Sequence, residues 1–144
     1  MAFMTFGDDC KIVDCINYAL GSSNRDGIDI DTRGYSGVCI IVKFAAIVSG
    51  AVTSIKAQQG DTTGGGYSDI AGTSQTIADT KDDEIFYIDI KKPQKRYVRL
   101  VVSKATQNAA ESAVAVLYGS ASKPSTNDAD VNGEEWVSPA SGTA

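Results

Sequence analysis

Two stretches decide the fold: Glu84-Ile85-Phe86-Tyr87-Ile88-Asp89-Ile90 and Arg96-Tyr97-Val98-Arg99-Leu100-Val101-Val102. In the first, Phe86, Ile88 and Ile90 fall on one side and Ile85, Tyr87 and Asp89 on the other. In the second, Val98, Leu100 and Val102 alternate with Tyr97, Arg99 and Val101. A period of two, carried by β-branched and aromatic residues, is the pattern of a strand with one buried face. Between them, Lys91-Lys92-Pro93-Gln94-Lys95 holds a proline and no apolar side chain, so it reads as a turn. The pair is either an antiparallel hairpin or two strands in facing sheets.

The same rhythm extends outward. Lys11 to Leu20 carries Ile12, Val13, Ile16 and Tyr18; Ile28 and Ile30 alternate with aspartates. Val38 to Val48 is a nearly continuous apolar run, interrupted by Lys43, and reads as a strand buried on both faces. Ala51 to Gln58, a weaker Ile70 to Ile77, and Ala113 to Tyr118 complete the series. Lys104 to Ser112 is rich in Thr, Gln and Asn and is expected to be a loop. Turn signals at Gly21 to Asn24, Gly34 to Gly37 and Gly60 to Gly66 separate the runs. About eight short strands at this spacing predict an all-β sandwich, and that count is the one a jelly roll needs.

The chain has 144 residues, 42% of them hydrophobic and 22% charged, which suits one globular domain. The expected division is a sandwich over 1–119 with a short irregular N-terminal arm, and a C-terminal arm over 120–144. After Ser120 the residues are small and polar, with too few apolar groups for a core of their own. No apolar run reaches the length of a membrane helix, and no basic segment followed by an apolar one opens the chain.

Composition also narrows the chemistry. There is no histidine, so Ser-His-Asp and Cys-His arrangements cannot form within this chain. Three cysteines, Cys10, Cys15 and Cys39, are a poor zinc set and read as reduced, partly buried thiols, although a Cys10–Cys15 bridge is conceivable. The Gly60 to Gly66 loop lacks the Gly-Lys-Ser/Thr of a phosphate cradle and reads as a hairpin tip. Asp128 to Gly133 matches half of a calcium loop, but the twelfth position is Pro139 rather than glutamate. No cofactor, metal or catalytic set is expected, and the chain is expected not to be an enzyme.

Net charge is −5, of which the segment from Ser120 onward carries −3, leaving a body of 12 basic and 14 acidic residues. That balance argues against binding nucleic acid, despite the cluster Lys91, Lys92, Lys95, Arg96 and Arg99. Contacts with a protein partner are expected at Phe3, Phe6, Tyr97, Arg99 and Trp136, large apolar or Arg/Tyr side chains on arms and turns. Trp136, the single tryptophan, lies where no local core surrounds it.

Ile55-Lys56-Ala57-Gln58-Gln59-Gly60, Ala78-Asp79-Thr80-Lys81-Asp82-Asp83-Glu84, Pro93-Gln94-Lys95-Arg96-Tyr97-Val98-Arg99 and the ending Val137-Ser138-Pro139-Ala140-Ser141-Gly142-Thr143-Ala144 carry a resemblance. From about Val38 onward the chain resembles a family of small tailed-bacteriophage virion proteins. The resemblance implies a capsid decoration, or cement, protein of β-sandwich or jelly-roll fold. It further implies a homo-oligomer, dimer or trimer, that stabilises the lattice of major capsid protein from the outer surface of the head after assembly in the host cytoplasm. Neither nucleic acid nor membrane is an expected partner. The competing expectation is a carbohydrate- or receptor-binding sandwich of a head or tail fibre.

Overall fold

The computed structural model describes residues 5–134 and 141–142. A single helical turn, α1 (Phe6–Asp9), is capped by Thr5, whose hydroxyl accepts the Asp8 N–H. Ten strands follow: β1 (Lys11–Gly21), β2 (Arg25–Asp26), β3 (Ile30–Asp31), β4 (Gly37–Ile47), β5 (Val52–Gly60), β6 (Ser68–Asp69), β7 (Gln75–Ile77), β8 (Ile85–Lys91), β9 (Tyr97–Thr106) and β10 (Ala109–Tyr118). One sheet runs β1-β10-β4-β8; the other is built on β9 and β5, with β2 and β3 along one edge and β6 and β7 along the other. Each of those short pairs is one interrupted strand, so every sheet has four positions and all pairings are antiparallel. This is a jelly-roll β-sandwich.

Alternation builds the core. Val38, Ile40, Val42 and Phe44 of β4 point inward, as do Ile88 and Ile90 of β8, and Ala113, Ala115 and Leu117 of β10. They meet Ile55 and Ala57 of β5 and Val98, Leu100 and Val102 of β9. Phe44 meets Phe86 edge to face at 5.8 Å. Close approach sets two glycines. A Cβ on Gly37 would lie 2.4 Å from the Tyr118 ring, and Gly119 has φ +67° with Ser36 in the space a Cβ would take.

Of the two arrangements open for the first stretches, the structure shows the second: they lie in facing sheets, as β8 and β9. Two expectations change. The expected loop from Lys104 to Ser112 is strand at both ends, with only Gln107 and Asn108 between β9 and β10. Of the residues that suggested a loop, Thr106 ends β9 and Gln107 and Asn108 make the turn, while Lys104 and Glu111 meet inside the sandwich at 2.6 Å. Finally, β4 is buried on one face only: Cys39 and Ile41 are half-buried and Lys43 is exposed.

The start of the C-terminal arm is laid against the body. The Ser120 and Ser125 N–H groups donate to the Asp9 and Asp8 carbonyls, at 3.2 and 2.9 Å, and Ala121 N–H donates to Gly34. Lys123 pairs with Asp9 at 2.7 Å and Lys11 with Asp128 at 2.9 Å. Asn127 Oδ1 accepts the Ile12 N–H at 2.8 Å.

Candidate functional site

The outer face of the β1-β10-β4-β8 sheet is the most distinctive surface. Register places its outward side chains in rows across the strands. One row is Ile12, Val116, Cys39 and Asp89; the next is Asp14, Val114, Ile41 and Tyr87; the third is Ser112, Lys43 and Ile85. Ile85 and Tyr87 are 63% and 65% exposed and Val114 is 42% exposed. A solvated antiparallel sheet normally alternates apolar-in with polar-out. Here β4 and β10 carry Val, Ile and Cys at outward positions as well, with Asp14, Asp89, Lys43 and Ser112 among them. Exposed Ile85, Tyr87 and Val114 beside half-buried Ile41 and Val116 make this the most apolar outward surface of the two sheets.

The charges in these rows are largely engaged. Asp89 accepts the Tyr118 hydroxyl at 2.6 Å. Burial, helped by that bond, pushes the Tyr118 hydroxyl up to about 12. Lys43 donates to the Asp83 carbonyl. Burial, then the negative Asp89, raises the Cys39 thiol above its ordinary value. All three cysteines are free thiols, and burial pushes Cys15 up to about 12.

The outer face of the other sheet has opposite character. Lys56 pairs with Asp69 at 2.8 Å, and Gln58 Nε2 donates to the same carboxylate at 2.7 Å. These two bonds hold Asp69 below the usual carboxylate range. Arg96 pairs with Asp31 at 2.8 Å and Lys95 with Asp61, so these two members of the basic cluster are neutralised. The Asp31 carboxyl is lowered chiefly by the Arg96 hydrogen bonds.

The residues expected to contact a partner are spread over different places. Tyr97 and Arg99 share the outward side of β9, in this polar sheet. Arg99 is held within the molecule: its guanidinium donates to Gln58 Oε1 at 2.9 and 2.8 Å, approaches Asp26 at 3.3 Å and stacks 4.2 Å from the Tyr67 ring centre. Tyr97 lies under the Arg96 guanidinium at 4.9 Å. Phe6 is on α1, 57% exposed, at an open groove of about 500 Å³ shared with Ile12, Pro124, Asn127 and Val131. Phe3 and Trp136 lie outside the described residues. The Gly60–Gly66 loop is tied down by Asp29, which accepts the Gly64 N–H at 2.8 Å. Asp128, of the half calcium loop, pairs instead with Lys11.

Sequence reasoning missed Ile41, Tyr87, Val114 and Val116 as surface residues. The available signal was the Val38–Val48 run: a strand apolar on both sides needs two covers, and only one opposing sheet exists.

No protein-family model matches the chain, and no curated protein matches it. Among solved structures, it is similar to Eiger TNF from S. frugiperda, with 12% identity over 88% of this chain and 99% of that one, at a TM-score of 0.43. It is also similar to PirA, with 16% identity over 81% of this chain and 96% of that one, at a TM-score of 0.35. Neither likeness carries a functional argument.

Proposed function

We propose that the chain is a structural protein of a tailed-bacteriophage virion, a decoration protein that binds the outside of the capsid and stabilises the lattice of major capsid protein. The observation that carries this reading is the apolar outer face of the β1-β10-β4-β8 sheet, set against a polar, ion-paired face on the opposite side. A molecule built this way lies flat on a partner by one sheet and meets solvent with the other. The work is done by burial of side chains such as Val114, Ile41 and Tyr87, at about 25 cal/mol per Å² of apolar surface. The sequence resemblance to small virion proteins of tailed phages supplies the partner. Repetition over a symmetric shell multiplies a modest contact, because bound neighbours raise one another's effective concentration.

The test is to mix the purified protein with mature heads lacking decoration and to image the product. Ordered added density at regular lattice positions, with the β1-β10-β4-β8 sheet toward the shell, is the expected result. Heads that stay bare at saturating protein overturn the reading.

A further inference from the structure

Among the described residues, this sandwich blunts every sheet edge but one. The polar sheet ends on both sides in fragments of two or three residues. β1 is broken by two register shifts, and its free side is covered. Asn127 takes the Ile12 N–H at 2.8 Å, the Ile28 N–H donates to the Cys15 carbonyl at 3.2 Å, and Arg25 donates to the Asn17 carbonyl at 2.8 Å. β8 is different: it is seven residues long, pairs with β4 without a shift, and ends the sheet. A long regular edge left open in a fold that closes the others is a template for pairing with another strand.

The direction of its backbone groups can be read. Phe44 N–H donates to the Glu84 carbonyl at 3.0 Å, so even-numbered residues of β8 bond β4. Ile85, Tyr87, Asp89 and Lys91 therefore aim their N–H and C=O groups at the free edge. The Gln75 amide, which donates to the Tyr87 carbonyl at 2.9 Å, sits on that side. Left-handed residues, Asp83 at φ 60° and Lys92 at φ 49°, flank the strand and limit pairing to these positions.

Charge identifies the occupant. β8 is preceded by Asp82-Asp83-Glu84 and ends at Lys91 with Lys92 next; neither lysine has an ion-pair partner among the described residues, and the Glu84 carboxylate meets only Lys81, at 3.3 Å in an exposed pair. A strand acidic at one end and basic at the other is complementary to itself when reversed. We propose that a second copy of this chain joins here, β8 to β8, antiparallel across a two-fold axis at Ile88. That register sets Ile85 opposite Lys91 and Tyr87 opposite Asp89, uses all four edge-directed residues once the exposed Gln75 amide gives up the Tyr87 carbonyl, and brings Glu84 beside Lys92 of the other copy. The two sheets become one of eight strands whose outer faces lie on the same side, with Asp89 and Lys91 of each copy along the seam. Four strands spaced about 4.8 Å apart and seven residues long give roughly 400 Å². Two copies reach the ~800 Å² per partner of a standard interface. This specifies the oligomer of the decoration reading, but it stands on the edge and its charges and does not need the capsid.

The test is a charge swap followed by sedimentation. The wild type is expected to sediment as a dimer of about 30 kDa, twice the 15.1 kDa chain. Glu84→Lys and Lys92→Glu each place like charges together twice, so each alone is expected to weaken the dimer at least about tenfold. Mixed in equal amounts the two variants restore both opposite-charge pairs and form a heterodimer. Loss of folding is not rescued by mixing, so recovery isolates the seam. In the wild-type dimer, amide exchange at Ile85, Tyr87, Asp89 and Lys91 becomes as slow as at Phe86, Ile88 and Ile90. A monomeric or trimeric wild type, single variants that dimerise like it, or a mixture that stays monomeric each overturns the proposal. Val114→Asp, two strands away on β10, leaves the dimer intact and reports on the capsid face alone.

Discussion

Lys104→Met is expected to cost about 3–5 kcal/mol of folding stability, as a loss of one partner from a buried ion pair does. The Lys104 side chain is 1% exposed and that of Glu111 is 0% exposed. Lys104 directs its protons to the carbonyls of Gly21 at 3.2 Å and Ala109 at 2.9 Å, and meets Glu111 Oε2 as a charge contact at 2.6 Å. Arg25 holds the other oxygen of Glu111 at 3.0 Å. With Lys104 gone, Oε2 keeps its charge in an enclosed corner where β9 turns into β10, and two backbone carbonyls lose their donor. The double variant Lys104→Met, Glu111→Leu removes both charges and is expected to recover much of the loss, because a well-packed apolar pair costs little in place of a buried salt bridge. Urea unfolding followed by circular dichroism measures both. A single variant within about 1 kcal/mol of wild type contradicts the burial argument.

Val114→Asp is expected to reduce binding to undecorated heads by at least about 100-fold while the protein stays folded. Val114 stands in the middle of the apolar face, between Asp14 on β1 and Ile41 on β4. Burying a valine of this kind contributes about 1.5–3 kcal/mol, and a carboxylate in its place must be desolvated as well. The substitution points away from the core, so the urea midpoint changes little. Arg99→Ala, on the opposite sheet, is the control and leaves head binding unchanged. Equal losses from the two variants would remove the distinction between the faces on which the functional reading rests.

Much of the architecture was legible. Period-two alternation located β8 and β9, because one-sided burial writes itself directly into the residue order; the continuous apolar run located β4 but read it as buried on both faces. Strand pairing was not legible: Lys91 to Lys95 has the chemistry of a hairpin turn, and only the tertiary structure places β8 and β9 in different sheets. The corner at Lys104 to Glu111 was hidden for a related reason, since charges satisfied by each other look like solvent-facing residues until their partners are known. The proposed contact surface was legible only in part. Side-chain type favoured Arg99 and Tyr97, and the structure places Arg99 against Gln58, Asp26 and Tyr67. The apolar face is made of ordinary valines and isoleucines, and becomes visible only when register aligns them in rows.

The residues that lie across β1, Asn127 foremost, have a further consequence. With β8 taken up by a two-fold partner, growth stops at a closed pair. Severing the chain ahead of Asn127 would free the Ile12 end of the opposite margin of the same sheet, leaving the two bulges and the Ile28 and Arg25 bonds to resist pairing there. Each molecule would then be adhesive on both flanks, and self-association would run on into filaments. In a β8-paired dimer the Asn127 clasp would thus be one of the contacts that keep the second margin of the sheet from joining a further copy.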